Sequence, residues 1–231
     1  MSATPHAAHR ARPPREPRSP AVPENLTAAG FDDVELGDDG KYLSLAYGEV
    51  RLTTGDAEDV EDVEFERCRF ARSSMAGMRL QRAGFADVVF EGCDLANLRM
   101  FNARMFNAEV RNCRMTGLQL TEGGLRDVRF DGCRADMAGF RFARLRTVVF
   151  ADCNLSEASF QSAELHDVRF EGCRLSGTQF SGATMSGTRF RDCDLSGVAG
   201  IRSFDGAIVA ARDATSLLDV LAADAGITIE A

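Results

Sequence analysis

The chain has no tryptophan, two tyrosines and only three histidines among its 231 residues. It contains no run of about eighteen apolar residues, the length a membrane-crossing helix needs, and its first residues lack the apolar core of a secretory signal. A cytoplasmic protein is the expectation. The glycine patterns that cradle phosphates, GxGxxG and GxxxxGK[ST], are absent, and so is any C-x-x-C pair of the kind common in zinc sites. Two of the three histidines, His6 and His9, lie in an amino-terminal tail, leaving His166 alone in the body of the chain. Carboxylates are scattered among arginines with no sign of a pocket to desolvate them, so no acid–base pair stands out. These absences point away from an enzyme and leave no cofactor or metal to expect.

What the chain does have is a period of five. Every residue whose number is divisible by five, from Phe65 to Leu195, is apolar: twenty-seven consecutive positions drawn from Phe, Leu, Met and Val, with Ala135 the one small member. Helices need apolar spacings of three and four and half-buried strands need alternation, so an unbroken period of five fits neither and implies a solenoid. A second inward position lies two residues earlier, at Val128, Cys133, Ala138, Ala143, Val148 and their equivalents, where small side chains dominate. Residues two apart share a face of a strand, so each unit is a very short extended segment followed by a corner.

Residue types repeat again every twenty residues. Six of the seven cysteines stand at Cys93, Cys113, Cys133, Cys153, Cys173 and Cys193, and the neighbouring side carries Phe90, Phe130, Phe150, Phe170 and Phe190 with Val110 as the exception. Twenty residues make one four-sided coil, and like stacks on like. The residue before each ladder cysteine is Gly92, Asn112, Gly132, Asp152, Gly172 or Asp192, the types that best tolerate the positive φ of a tight corner. The cysteines fall on an inward position, so reduced core residues are expected. Stacked side chains lie about 4.8 Å apart, beyond the Cβ separation of a disulfide. A metal ladder is the alternative, opposed by the missing C-x-x-C pair and by His166 pointing outward on another side.

Units such as CNLSE (153–157) and ASFQS (158–162) resemble the pentapeptide-repeat family over residues 60–200. The resemblance implies an all-β solenoid, a right-handed parallel β-helix of square cross-section. Seven coils at about 4.8 Å each would make a rod of about 34 Å, too narrow for a cavity.

Outside the repeats, residues 1–23 hold all six prolines and Arg10, Arg12, Arg15 and Arg18, and read as a disordered tail. Residues 24–59 open an acidic stretch with an alternating run around Tyr42, Leu45, Tyr47, Val50 and Leu52. A strand pair capping the rod is expected there, because an open solenoid end invites aggregation. In residues 201–231 a helix is expected with Asp213 as N-cap, Ala214, Leu217, Leu218, Leu221, Ala222 and Ala225 on one face, and Gly226 just past its end. That helix either caps the rod or pairs two copies as a homodimer, and Ile227 and Ile229 suggest a final strand.

Function must then lie on the outer surface. The family resemblance implies one candidate activity, binding DNA gyrase by imitating duplex DNA and so protecting it from quinolone-type poisons. Duplex DNA carries one negative charge per roughly 1.7 Å. Residues 60–200 instead hold nineteen acids and nineteen arginines, and the overall charge of −8 resides at the ends. Close mimicry is therefore disfavoured. The surface departs from polar character at Phe101, Phe106 and Phe142, flanked by Arg99, Arg104 and Arg141. Apolar anchors within a charged rim suit a protein partner, with corner packing as the alternative use. Nucleic-acid binding by the same group is less favoured, because the arginines are interleaved with acids elsewhere.

Overall fold

The computed structural model describes residues 14–229. Its repeats wind as a four-sided parallel solenoid in which each short strand bonds to the one twenty residues later, as in Met105↔Leu125 and Phe130↔Phe150. On the first side (Phe65, Phe85 and onward) and the second (Phe70, Phe90 and onward) the strands form one continuous sheet. Gly84–Glu91, Arg104–Arg111, Gly124–Asp131 and Arg144–Ala151 run through the corner between these two sides. The third side, carrying Leu95 and Leu155, is held by single bridges such as Arg134↔Asn154. The fourth side is a small sheet up to Gln119–Thr121 and single bridges beyond. Backbone groups of these sides thus bond to the coil above or below, which is why segments too short to be stable alone persist here.

Both inward positions of each unit are buried as expected, and the phenylalanines stack along the axis. Phe150 lies 4.7 Å from Phe130 and 5.2 Å from Phe170, ring over ring. Val110 interrupts that column, and an apolar void of about 20 Å³ opens beside it, lined by Met100, Met105 and Met115 among others. Methionine is the side chain best able to fill such an irregular gap.

The left-handed conformation is not confined to the corner before the cysteines, where φ runs from +50° to +65°. It recurs two residues after the large inward residue of every unit, from Arg67 to Gly197. Most of these corners lack glycine; even Phe142 (φ +58°) and β-branched Thr147 (φ +54°) adopt it. An L residue pays roughly 1–2 kcal/mol there, so the coil-to-coil bonding on either side must hold it in place.

The two ends differ from the sequence expectation. Lys41–Leu43 and Leu45–Gly48 do not pair with each other: Tyr42 stacks on Phe65 at 4.9 Å and Tyr47 on Phe70 at 4.6 Å. They are sides of one more coil. Its repeat is 23 residues rather than 20, because Arg51 pairs with Ser74 while Val60 pairs with Leu80, placing the extra residues between 51 and 60. Thr27–Ala28 add a further rung. The solenoid has about nine turns rather than seven, which makes it about 43 Å long at 4.8 Å per step.

At the other end, Ala214–Leu217 is a 3-10 turn and only Leu218–Asp224 is α-helical. Leu217 and Ala222 face the rod, whereas Leu218 and Leu221 are exposed. Asp213 makes no side-chain cap. Gly226 closes the helix as expected, with φ +73° and the Ile227 N–H donating to the Ala222 carbonyl. Ile227 and Ile229 form no strand and are exposed.

Residues 1–13 of the tail lie outside the described residues. Residues 14–23, expected to be disordered, run extended along the outside of the rod, with Glu16 bonded to Arg169 and the Ala21 N–H bonded to Asp87.

Candidate interaction surface

The corner after the fourth side carries Arg82, Asn102, Glu122 and Phe142, coil over coil. Phe101 precedes this corner, in register with Gln81 and Thr121, and Phe106 follows it, in register with Ala86 and Arg126. Phe142 occupies the corner itself, two coils above Asn102. All three rings are exposed, at 46%, 38% and 49%.

The three rings do not merge into one apolar patch, and among the described residues no ring contact joins any two of them. Each keeps its own arginine. Phe101 and Arg99 line a shallow depression with Asp59, Arg79 and Gln81. Phe106 and Arg104 line a groove of about 450 Å³ on the next side. The Arg141 guanidinium lies 5.7 Å over the Phe142 ring, a cation–π contact.

Sequence reasoning missed the groove beside Phe106. Its floor is Gly84 and Ala86, small residues at outward positions where other coils carry Glu64 and Glu66 or Arg144 and Arg146. Asp62 and Arg82 meet at its rim, with Nε at 2.9 Å and Nη2 at 2.6 Å from the carboxylate. The Arg82 hydrogen bond holds the Asp62 carboxyl below its usual value. Acids fill one wall and arginines with a phenylalanine the other. The groove offers hydrogen bonds and one aromatic face, and holds no nucleophile paired with a base.

The cysteines have a local reason beyond packing. Cys93, Cys133, Cys173 and Cys193 each point Sγ at the carbonyl of the second-side core residue one coil down, 3.3–3.4 Å away. Thr178 and Thr188 use the same inward position to donate to Leu155 and Leu165 at 2.9 and 3.2 Å. The small inward position thus carries a donor that satisfies a corner carbonyl. Among the described residues no cluster of three or more His, Cys, Asp or Glu could hold a metal, and no helix is long and apolar enough to cross a membrane.

A narrow parallel solenoid of five-residue sides, with its core filled and its chemistry confined to the surface, is a repeat protein of the β-helix class. The model of the pentapeptide repeat region matches residues 63–140 and 125–199, and the chain belongs to that family. Solved structures similar to it include QnrB1, a plasmid-mediated fluoroquinolone resistance protein, at 20% identity and a TM-score of 0.38, covering 90% of this chain and all of that one. HetL, a pentapeptide repeat protein involved in heterocyst differentiation regulation from Nostoc sp. strain PCC 7120, matches at 16% identity and a TM-score of 0.37, over 75% of this chain and 86% of its own. Rfr23 from Cyanothece 51142 matches at 10% identity and a TM-score of 0.26, over 75% and 90%. A comparison with curated proteins found no match.

Proposed function

We propose that this protein is a non-catalytic rod that presents a rigid surface to a protein partner in the cytoplasm. The observation that carries the reading is the placement of Phe101, Phe106 and Phe142. Each ring is about half exposed and accompanied by Arg99, Arg104 or Arg141, on a chain whose inward positions are otherwise filled by its core. Aromatic and arginine side chains are the types that most often anchor interfaces. The test is a pull-down from native lysate with the parent and a Phe101→Ser, Phe106→Ser, Phe142→Ser variant of equal thermal stability. One partner captured by the parent and lost by the variant supports the reading; identical captures sink it.

A second reading, gyrase binding, is favoured by the acidity of the amino-terminal end, where residues 24–66 hold fourteen acids against Lys41 and Arg51. Several of those acids are already paired with arginines of the next coil, Glu49 with Arg72 and Glu61 with Arg82 among them, which reduces the field they present. Supercoiling by purified gyrase, with and without a quinolone, decides this reading: no change at micromolar protein removes it. Pairing of two copies through the carboxy-terminal helix is supported by the exposure of Leu218, Leu221, Ile227 and Ile229, and sedimentation would test it.

A further inference from the structure

Outward side chains of a solenoid are normally wet. On the second side, the outward row Val89, Glu109, Arg129, Val149 and Arg169 stacks in register. Val89, Val149 and Arg169 are nevertheless 8%, 0% and 5% exposed, and neither valine belongs to the interior cluster. Arg69, one coil below Val89, is exposed. Valines outside a rod are dry only where something lies on them.

The described segment that crosses this row is Pro14–Pro23, bonded to the rod at Asp87, two residues before Val89, and at Arg169, the register partner of Val149. Prolines at 14, 17, 20 and 23 recur every third residue, the period of a polyproline II helix. Pro17, Pro20 and Pro23 are half-buried, while Arg15, Glu16, Arg18, Ser19 and Ala21 between them are exposed. One edge of the extended helix therefore faces the rod. Two polar clamps fix it. The Ala21 N–H donates to Asp87 Oδ1 at 2.9 Å, and the Arg169 guanidinium donates through both Nη atoms to the Glu16 carboxylate at 2.7 and 2.6 Å. Asp87 and Arg169 are four coils apart, about 19 Å at the strand spacing. Five residues of polyproline II span about 16 Å, and the side chains at the clamps supply the remainder.

The arm runs along the rod axis, across strands whose backbone groups already bond to one another. Recognition therefore rests on side chains: proline edges on valines and a carboxylate on a guanidinium. We propose that the row from Val89 to Arg169 is a peptide-binding site for polyproline II segments of the pattern Glu-Pro-x-x-Pro, and that Pro14–Pro23 is its resident ligand in cis. A proline-rich segment of another protein, carrying a carboxylate for Arg169, takes the site by displacing the arm. The arm's hold is light: three half-buried prolines, one backbone hydrogen bond and an ion pair whose glutamate side chain is 72% exposed. Its tether supplies an effective concentration of order millimolar, which a competing segment must overcome. This site uses none of the phenylalanines of the proposed partner surface.

The test titrates a fluorescent peptide with the sequence of residues 14–24 into the full chain, as parent and as a Glu16→Gln, Ala21→Pro variant that loses both clamps. Binding at least tenfold tighter to the variant than to the parent is expected, and that affinity should fall at least tenfold when Arg169→Gln is added or when the prolines of the peptide become alanine. Equal binding to both proteins, no binding to a variant with the parent's circular dichroism and Tm, or indifference to Arg169→Gln overturns the proposal. Should the variant not fold, millimolar peptide added to the parent must accelerate exchange of the Ala21 amide; an unchanged rate overturns the proposal equally.

Discussion

Asp213 Oδ2 accepts the backbone N–H of Cys193 at 3.2 Å. Asp213 lies twenty residues after Cys193, where the next ladder cysteine would stand, and it is buried. Five coils lower in the ladder the equivalent bond exists with sulfur, the Cys93 N–H pointing at Cys113 Sγ at 3.3 Å. Ser216 Oγ similarly takes the Leu195 N–H, so side chains replace the missing coil at the open edge. Asp213→Ala leaves a buried N–H unpaired and should cost about 1–3 kcal/mol in urea unfolding. Asp213→Asn, which keeps an acceptor oxygen, should recover most of that loss. An alanine variant as stable as the parent would show that the edge is satisfied in some other way.

The pH dependence of the arm follows from Glu16. Its hydrogen bond from Arg169 holds the carboxyl below the usual 4.5. A group whose value is depressed in the docked state stabilises docking above its free value, and that stabilisation is lost as pH falls through the depressed one. The arm should thus stay docked at neutral pH and release below 4.5. Carbon-13 titration of Glu16 should give a midpoint under 4.5 in the parent and an ordinary one in Arg169→Gln. Because Glu16 is largely exposed, its own contribution to global stability, read as the difference between the parent and Glu16→Gln, should change by less than about 1 kcal/mol over the same range.

The period of five, the inward pair and the corner residues were legible because packing repeats them twenty-seven times, and each repeat confirms the phase of the last. The ends carry no such redundancy. A three-residue insertion between Arg51 and Val60 broke the register of the first coils, so Tyr42 and Tyr47 read as a separate cap although they stack on Phe65 and Phe70. The 3-10 turn at Ala214–Leu217 shifted the phase of the following helix, which turned Leu218 and Leu221 outward. The arm escapes a reading by composition for a thermodynamic reason: composition suggests disorder when few large apolar residues are present. Docked polyproline needs few, and the signals that would have found it are the three-residue spacing of its prolines and the outward Val89 and Val149 in an otherwise charged row.

Corner strain can be relieved by substitution. Glu157 holds φ +58° at an exposed corner and makes no ion pair among the described residues. Glycine there removes roughly 1–2 kcal/mol of left-handed strain and adds about 0.5–1 kcal/mol of unfolded-state entropy. Glu157→Gly should therefore stabilise by about 0.5 kcal/mol. Phe142→Gly at φ +58° separates binding from packing, since the half-exposed ring lies under the exposed Arg141 guanidinium. Stability within about 0.5 kcal/mol of the parent is expected, while a loss above about 1 kcal/mol would assign the ring to the corner.

All seven cysteines are free thiols, none more than 7% exposed. A disulfide reagent must reach the sulfur to react, and this burial keeps all seven out of its reach; at Cys68 burial also pushes the thiol above its ordinary value. The folded protein should thus be nearly inert to such reagents at pH 8 and release seven equivalents once denatured. The ladder's thiols point at backbone carbonyls, so Cys173→Ser keeps a donor toward Phe150 and exchanges one small side chain for another. A cost near 1 kcal/mol is expected. Zinc titrated into the reduced, folded protein should show no stoichiometric binding. Tight binding that Cys→Ser changes abolish would instead make the ladder a metal site, requiring deprotonated sulfurs where the fold places thiols bonded to carbonyl oxygens.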